Sequence, residues 1–487
     1  MTTLDNFTVA IHHTLGDPYY PALPPYHPPQ VYPEYPFSPD GIDKTNAVYP
    51  AVRQIFRLLQ LDRAHQDQNR WNPLGDLIQP GDRVLIKPNL VKHANGLGYD
   101  PRSVVTHGSV IRAVLDYVTL ALRGEGTILI GDAPLQGTDI AQVMRVTGLD
   151  DVLSFYTRQP GIQVEFTDFR CEKAVTEGSM VLQREALAGA VGGYQPVNLG
   201  PLSYLNEISS RYQRFRVTDY DRPSMTTHHT LQIHEYLIPR AVLQSTVIIN
   251  LPKLKTHRKV GATLSLKNLV GINGQKDWLP HHTNLSIDEG GDEYRYPSWR
   301  KRLDTRLDER IDVYRGRLRK YALRAGRLML KFSGKVARFP DPYFEGSWWG
   351  NDTLWRTVLD LNRILFYADT YGNMTETVQR RYLSLVDGFL AGEGEGPLEP
   401  TPRACGLLMA GFSPGIVDSV CARVMGFDPA KIPLVHQALA SDWLTPPAQK
   451  IEIVSNEPHW KSALTWKRED SLAFIPSRGW LGHIELD

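Results

Sequence analysis

Residues 81–134 contain the stretch that decides the fold: GDRVLIKPNLV (81–91), HGSVIRAVLDYVTLAL (107–122) and GTILIGDAP (126–134). The first and third segments are short apolar runs followed by turn-forming residues, which is typical of buried strands. The middle segment repeats its apolar residues at helical spacing. A strand, a helix and another strand in this order predict a parallel sheet with helical crossovers.

The same alternation extends along most of the chain and is interrupted twice. The predicted fold class is therefore α/β, with a mostly parallel sheet, helical crossovers and two irregular or helical insertions. We expect seven parts: an N-terminal strand, Pro/Tyr-rich segment and helix (1–80), a first α/β part (81–170), an insertion (171–240), a core strand with a Lys-rich loop (241–279), an insertion with a basic helix (280–350), a second α/β part (351–440) and a C-terminal tail (441–487).

Composition excludes several classes of protein. The chain has 487 residues, of which 42% are hydrophobic and 22% are charged, and its net charge is +1. These values describe a folded globular protein rather than a disordered chain or a generally basic nucleic-acid binder. Neither a secretory signal nor an apolar run long enough for a bilayer is visible, so we expect a cytoplasmic protein.

The three cysteines, Cys171, Cys405 and Cys421, are far apart and form no CxxC motif. Such spacing supports neither a disulfide framework nor a cysteine-ligated zinc or iron–sulfur site. We therefore expect a reducing compartment and no iron–sulfur cluster.

Polar residues follow four of the predicted strands. Because ligands bind at the carboxyl ends of parallel strands, these residues are candidates for a shared site. A single lysine after a strand is usually solvated, but charges of both signs at four strand ends favour one polar pocket. The residues are Lys87 and Asn89, then Asp132, then Asn250, Lys253, Lys255 and His257, and finally Asp387 with Glu393 and Glu395.

The segment LPKLKTH (251–257) is the densest of these strand ends. In an extended chain, Lys253, Lys255 and His257 lie on one side. Three such groups need an anion, a carboxylate cluster or water around them. The next segment, GATLSLKNLVG (261–271), is predicted to be a glycine-bracketed, anion-compatible loop that returns three polar residues to the same place: Ser265, Lys267 and Asn268.

Two further features are open to more than one interpretation. The insertions contain His228, His229, His234, His281 and His282, near Asp219, Asp221, Asp292 and Glu293 in sequence. Ligands of these types suit a divalent metal, but no fixed spacing such as HExxH supports one.

Residues 300–338 contain fourteen Lys or Arg against four Asp or Glu, with apolar residues at helical intervals. A basic amphipathic helix of this kind is either a solvated insertion or a surface for membrane, nucleic acid or an acidic partner.

The order of six motifs resembles that of the domain of unknown function 362 family, over about residues 80–436 without the two insertions. The motifs are GDRVLIKPNLV, THGSVIRAVLDYV, ILIGDAP, VIINLPKLKTHRKVGATLSLKNLVGI, VDGFLAGEGEGP and LLMAGFSPGIVDSVCARVMGFDP. The resemblance implies an α/β protein and no particular reaction. Many members carry a ferredoxin-like part with cysteine motifs, which this sequence lacks. The residues that the resemblance implies for one site are Lys87, Asn89, Asp132, Lys253, Lys255, His257, Lys267, Asn268, Asp387, Glu393 and Asp418.

The sequence thus favours an enzyme of unknown reaction that acts on an anionic small molecule bearing a carboxylate or a phosphate. His257 or His107 would act as general acid or base, and Asp132, Asp387 and Glu393 would orient them or hold a metal. Two alternatives remain: a non-catalytic protein that binds nucleic acid or a membrane surface, and a metal-dependent isomerase or racemase. The expected substrate-binding residues are Lys87, Asn89, Lys253, Lys255, Ser265, Lys267 and Asn268.

Overall fold

The computed structural model describes most of the chain. The residues outside this description are 1–2, 17, 39–40, 160, 162, 178–179, 218–221, 314–320, 322–324, 327, 330–342 and 446–449. Asp219, Asp221 and much of the predicted basic helix lie among them. The first part of that helix is described and runs from Trp299 to Val313.

The strands of the structure are as follows. They are β1 (Thr8–His13), β2 (Arg83–Pro88), β3 (Thr127–Asp132), β4 (Val164–Asp168), β5 (Glu172–Glu177), β6 (Met180–Ala186), β7 (Tyr194–Asn198), β8 (Phe215–Arg216), β9 (Glu235–Pro239), β10 (Val247–Leu251), β11 (Lys253–His257), β12 (Gly261–Thr263), β13 (His282–Thr283), β14 (Arg381–Glu395), β15 (Glu399–Gly411) and β16 (Glu452–Ser455).

Ten of these strands form one central sheet, with the order β16-β1-β15-β14-β10-β2-β3-β4 and with β11 and β12 attached beside β14. Strands β14, β10, β2, β3 and β4 run parallel to one another, and β15 is antiparallel to both β14 and β1. The predicted α/β fold with a mostly parallel sheet is therefore confirmed. The predicted tail also contributes, because β16 pairs with β1 at the sheet edge.

Both faces of the sheet are buried, as parallel strands require. Along β10, Val247 and Ile249 point into one hydrophobic cluster and Ile248 into the other. Helices cover each face. They are α1 (Val48–Leu58), α2 (Gly108–Leu122), α3 (Ile140–Thr147), α4 (Leu149–Tyr156), α5 (Arg222–His228), α6 (Arg240–Leu243), α7 (Ser265–Asn268), α8 (Trp299–Val313), α9 (Leu354–Tyr367), α10 (Pro414–Met425) and α11 (Pro433–Leu439).

The helices divide cleanly between the two faces. Residues of α1, α2, α3 and α4 pack in one cluster, and residues of α9, α10 and α11 pack in the other. The insertions form small antiparallel pairs outside the sheet, β5 with β6, β7 with β9, and β8 with β13. In the described part of the chain, no helix combines the length and apolarity that crossing a bilayer requires.

Two local predictions were wrong. Asp387, Glu393 and Glu395 were expected to follow a strand, but β14 continues to Glu395 and forms a long hairpin with β15. Asp387 consequently lies inside a strand rather than at its end. The segment predicted as a glycine-bracketed loop contains β12, the short helix α7 and a 3-10 turn over Leu269–Ile272.

Candidate anion-binding site

The carboxyl ends of β2 and β3 meet in a buried ion pair. Nζ of Lys87 lies 2.7 Å from Oδ1 of Asp132, and Oδ2 of Asp132 accepts the backbone N–H of Leu90 at 2.7 Å. Burial lowers the pKa of Lys87, while the adjacent carboxylate raises it. Gly271 passes directly over the pair, since a Cβ there would lie 1.9 Å from Oδ1 of Asp132. The glycine thus permits the 3-10 turn to close over this edge of the sheet.

Asparagine side chains connect the neighbouring strand ends. Nδ2 of Asn89 donates to Oδ1 of Asn268 at 2.9 Å, and Nδ2 of Asn268 donates to Oδ1 of Asn250 at 2.7 Å. Nζ of Lys255 donates one hydrogen bond to Oδ1 of Asn89 at 3.1 Å and another to the carbonyl of Val104 at 2.5 Å. This network holds Lys255 in one position.

A buried carboxylate forms the N-terminal cap of α7. Asp418 accepts the backbone N–H of Ser265 at 2.7 Å and that of Leu266 at 3.0 Å. These two groups would otherwise be unsatisfied at a helix start, which explains why the predicted loop is helical. Burial raises the pKa of Asp418 to about 7. The cap orients α7 so that Lys267 and Asn268 reach the cavity described next.

A cavity of about 100 Å³ lies against these residues, between the strand ends and the 3-10 turn. That volume is enough for several water molecules or for a small anion. Three lysines and one carboxylate line it, and the carboxylate, Asp132, is already paired with Lys87. The polar residues of its lining are Asn89, Asp132, Lys255, His257, Thr263, Lys267, Asn268, Lys276 and His281.

In the part of the chain that the structure describes, two of the three cavity lysines have no polar partner. Within the described residues, the ammonium groups of Lys267 and Lys276 make neither a hydrogen bond nor an ion pair. Burial lowers the pKa of Lys267 to about 8 and that of Lys276 to about 7, and neighbouring lysines add to the effect. An anion in the cavity would reverse both shifts, because an opposite charge favours the ammonium form.

The two histidines of the cavity are held in opposite tautomers. Nδ1 of His257 accepts the backbone N–H of Lys259 at 3.0 Å, so in the neutral ring the proton is on Nε2. Nδ1 of His281 lies 2.7 Å from the carbonyl of Leu279 and must donate to it, which leaves a lone pair on Nε2. Burial and the nearby lysines lower the pKa of both rings well below the usual value. Of the two rings, His257 thus offers an N–H donor at Nε2 and His281 offers a lone pair at Nε2.

Three predicted site residues form a separate buried cluster. Nζ of Lys253 lies 3.0 Å from Asp387 and 2.6 Å from the hydroxyl of Tyr20, which donates to Asp387 at 2.6 Å. The backbone N–H of His107 donates to the same carboxylate at 3.0 Å, and its ring stacks on Tyr20. A register shift in the pairing of β11 with β14, between Lys253 and Lys255, separates this cluster from the cavity.

The remaining predicted residues lie elsewhere. The hydroxyl of Ser265 bonds that of Ser384 at 2.8 Å within the interior. Glu393 pairs with Arg403 at 2.8 Å in the β14–β15 hairpin. Neither residue lines the cavity.

Two of the proposed metal ligands, His229 and Asp292, are engaged with other groups. Nε2 of His229 bonds the carbonyl of Trp278 at 2.8 Å, and Asp292 accepts the hydroxyl of Thr353 at 2.6 Å. Over the described ranges, no three His, Cys, Asp or Glu side chains are arranged to hold a metal ion.

Sequence reasoning missed Lys276 as a site residue, named His281 only as a metal ligand, and did not single out Tyr20. Lys276 follows Gly271 and Gly274 within the Lys-rich part (241–279) that was already predicted to contribute to the site. Its position in the sequence could therefore have identified it as a candidate. Tyr20 belongs to the Pro/Tyr-rich segment, whose path over the sheet no local pattern reveals.

The model of a family described as a domain of unknown function, DUF362, matches residues 84–190 and 203–423. The chain belongs to the DUF362 family. The resemblance carried by the six motifs is thereby confirmed, and residues of the matched region supply the whole polar lining of the cavity.

Two proteins similar to this DUF362 member differ from it considerably. A thylakoid-associated protein of Synechocystis sp. is 22% identical over 401 residues, which are 82% of this chain and 80% of that relative. A crystal structure of a Thermotoga maritima protein matches 76% of this chain with 11% identity and a TM-score of 0.32. The match spans 58% of the Thermotoga chain.

Proposed function

We propose that the cavity binds the carboxylate or phosphate group of a small molecule and that the protein is an enzyme acting on it. The observation that carries the proposal is the excess of positive charge on the lining. Lys255, Lys267 and Lys276 face a space whose carboxylate, Asp132, is already neutralised by Lys87.

Burial already disfavours the charged form of the cavity lysines, as the lowered pKa values of Lys267 and Lys276 indicate. Lys255 is compensated by Asn89 and Val104, whereas Lys267 and Lys276 are not compensated by hydrogen bonds in the described structure. An oxyanion would supply acceptors for both, with charge-assisted hydrogen bonds.

Each cavity residue has a distinct proposed role. Lys267 and Lys276 bind the anion, and Lys255 together with Asn268 forms the fixed wall behind it. His257 donates a hydrogen bond from Nε2, and His281 accepts a proton at Nε2. This pairing of a donor with a base suits proton transfer within a bound substrate.

Thermal denaturation with small oxyanions tests the proposal. Orthophosphate, sulfate and acetate are added separately to the full chain. A ligand at 100 times its Kd stabilises the folded state by about 2.7 kcal/mol. We expect at least one of these anions to raise the melting temperature, and Lys267→Met to abolish that increase. The matched control is Lys461→Met, since Lys461 is exposed. A wild-type melting temperature unmoved by all three anions would refute the proposal.

Attachment to an anionic membrane surface is a second candidate function. Apolar side chains are exposed on the basic segment, with Trp299 67%, Leu303 38% and Leu328 60% exposed. Aromatic and leucine side chains among arginines favour the interface of an anionic bilayer. The name of the Synechocystis relative, which is thylakoid-associated, agrees with this candidate. In this proposal the protein is cytoplasmic and binds the cytoplasmic surface of the membrane.

Co-sedimentation with vesicles distinguishes this candidate from the first. We expect binding to phosphatidylglycerol vesicles and little binding to phosphatidylcholine vesicles. Replacing both Trp299 and Leu303 by Ser should weaken it, whereas Lys267→Met should leave it unchanged. Equal binding to both vesicle types, or binding to duplex DNA in place of vesicles, would contradict it.

A further inference from the structure

We propose that Lys276 forms an imine with the carbonyl carbon of an anionic carbonyl compound, so that the cavity is a covalent site for small oxo acids. This inference rests on the proposed function. With an oxo acid, Lys267 would hold the acid group as the ammonium, and Lys276 would react as the neutral amine instead of binding that group. The inference goes further by naming the nucleophile and the class of substrate.

The surroundings single out Lys276 among the lysines of the cavity. Lys255 is tied to Asn89 and Val104, and Lys87 is tied to Asp132. Lys276 is only 6% exposed and has no polar partner within the described chain. Lys267 also lacks a polar partner there, but it is half-buried and therefore less shielded from water than Lys276. A lysine attacks carbonyl groups only as the neutral amine, and burial beside other cations favours that form. The pKa of about 7 for Lys276 agrees with a substantial neutral fraction.

The histidines supply what imine formation needs besides the amine. The lone pair of Nζ attacks the carbonyl carbon, and a C–N bond forms as the carbonyl π bond breaks. Nε2 of His281 takes the two amine protons one at a time and delivers them to the oxygen, which leaves as water. The N–H of His257 holds the oxygen by a hydrogen bond during both steps. One amine and one carbonyl thus give one imine and one water, without oxidation or reduction.

The size of the site limits the substrate class. A volume of about 100 Å³ accommodates a molecule of a few heavy atoms. With the carbonyl at Lys276, the acid group must be near enough to reach Lys267 in the same cavity. A carbonyl directly adjacent to a carboxylate satisfies this requirement, so glyoxylate and pyruvate are suitable probes.

Reductive trapping tests the inference on the full chain. The protein is incubated with glyoxylate or pyruvate and sodium cyanoborohydride, which reduces the imine to a stable amine, and the modified peptide is located by mass spectrometry. We expect one adduct, at Lys276. Lys276→Arg should abolish it, and the exposed-site control Lys461→Arg should not. His281→Gln should slow trapping by about tenfold or more, because its base is lost.

The outcomes separate this inference from the proposed function. Sulfate-induced stabilisation of each variant is measured in parallel, and a native circular dichroism spectrum confirms that Lys276→Arg is folded. If sulfate binds but neither oxo acid labels Lys276, the imine is refuted and the anion site stands. Labelling that spreads over exposed lysines, at the same rate in Lys276→Arg, also refutes it. If orthophosphate, sulfate, acetate and the oxo acids all fail to bind, both proposals fail.

Discussion

The ammonium of Lys87 and the carboxylate of Asp132 form a buried ion pair of 2.7 Å at the meeting point of two parallel strands. The pair closes off the floor of the proposed site, and Gly271 covers it without a side chain. The backbone carbonyl of Gly271 also accepts the N–H of Ala133 at 2.9 Å, so the covering turn is tied to β3.

Gly271→Ala is expected to destabilise the protein by about 1 to 3 kcal/mol, as is usual for overpacked interiors. The new Cβ would lie 1.9 Å from Oδ1 of Asp132 and 2.6 Å from Nζ of Lys87, and these two groups are held together by their ion pair. Urea denaturation measures the change. Gly96→Ala is the control, because its Cβ would meet only the side chain of Glu399, which lies at the surface. Equal stability of the two variants would contradict the close contact between Gly271 and the Lys87–Asp132 ion pair.

Lys276→Met is expected to stabilise the protein by about 1 to 4 kcal/mol at neutral pH while removing anion binding. The native pKa of about 7 lies below the ordinary value of 10.5, so the charged form is disfavoured by folding. That cost is fully present below pH 7 and disappears as the pH rises towards about 10.5. The stability difference between variant and wild type should shrink over the same interval. Lys461→Met should show no such trend.

Anion binding is expected to weaken as the pH rises through 7 to 8. The pKa values of Lys276, about 7, and Lys267, about 8, mean that both ammonium groups lose their protons in this range. Sulfate is the suitable ligand, since its own charge is constant from about pH 6 to pH 9. Isothermal titration should give a rising Kd with increasing pH. A Kd independent of pH would show that neither lysine contributes.

Tyr20→Phe is expected to cost about 1 to 3 kcal/mol of stability and to leave sulfate binding intact. The hydroxyl donates to Asp387 and accepts from Lys253, each at 2.6 Å, in the cluster outside the cavity. Tyr19→Phe is the neighbouring control, because Tyr19 is 58% exposed. Loss of sulfate binding in Tyr20→Phe would show that this cluster and the cavity act as one site.

The sheet was predictable from sequence because its strands are buried on both faces and therefore appear as continuous apolar runs. Two details could not be read in this way. Glu393 and Glu395 were predicted to follow a strand, yet pairing with β15 keeps both within β14. The start of α7 depends on Asp418, which lies about 150 residues further along the chain.

The candidate site was predictable in its location and less so in its membership. Alternation along an extended strand put Lys253, Lys255 and His257 on one face, but the register shift beside β14 directs Lys253 to Asp387. Whether a lysine is paired depends on which residues the fold places beside it. The sequence therefore could not show that Lys87 is paired with Asp132, whereas Lys267 has no polar partner among the described residues.

The most direct test of the central claim is a crystal structure of the protein grown with selenate, with anomalous data collected at the selenium edge. The account predicts an anomalous peak in the cavity, within hydrogen-bond distance of the ammonium groups of Lys267 and Lys276. The same crystals of Lys276→Met should lose the peak. A wild-type cavity without selenium, at a concentration where other surface sites are occupied, would contradict the account.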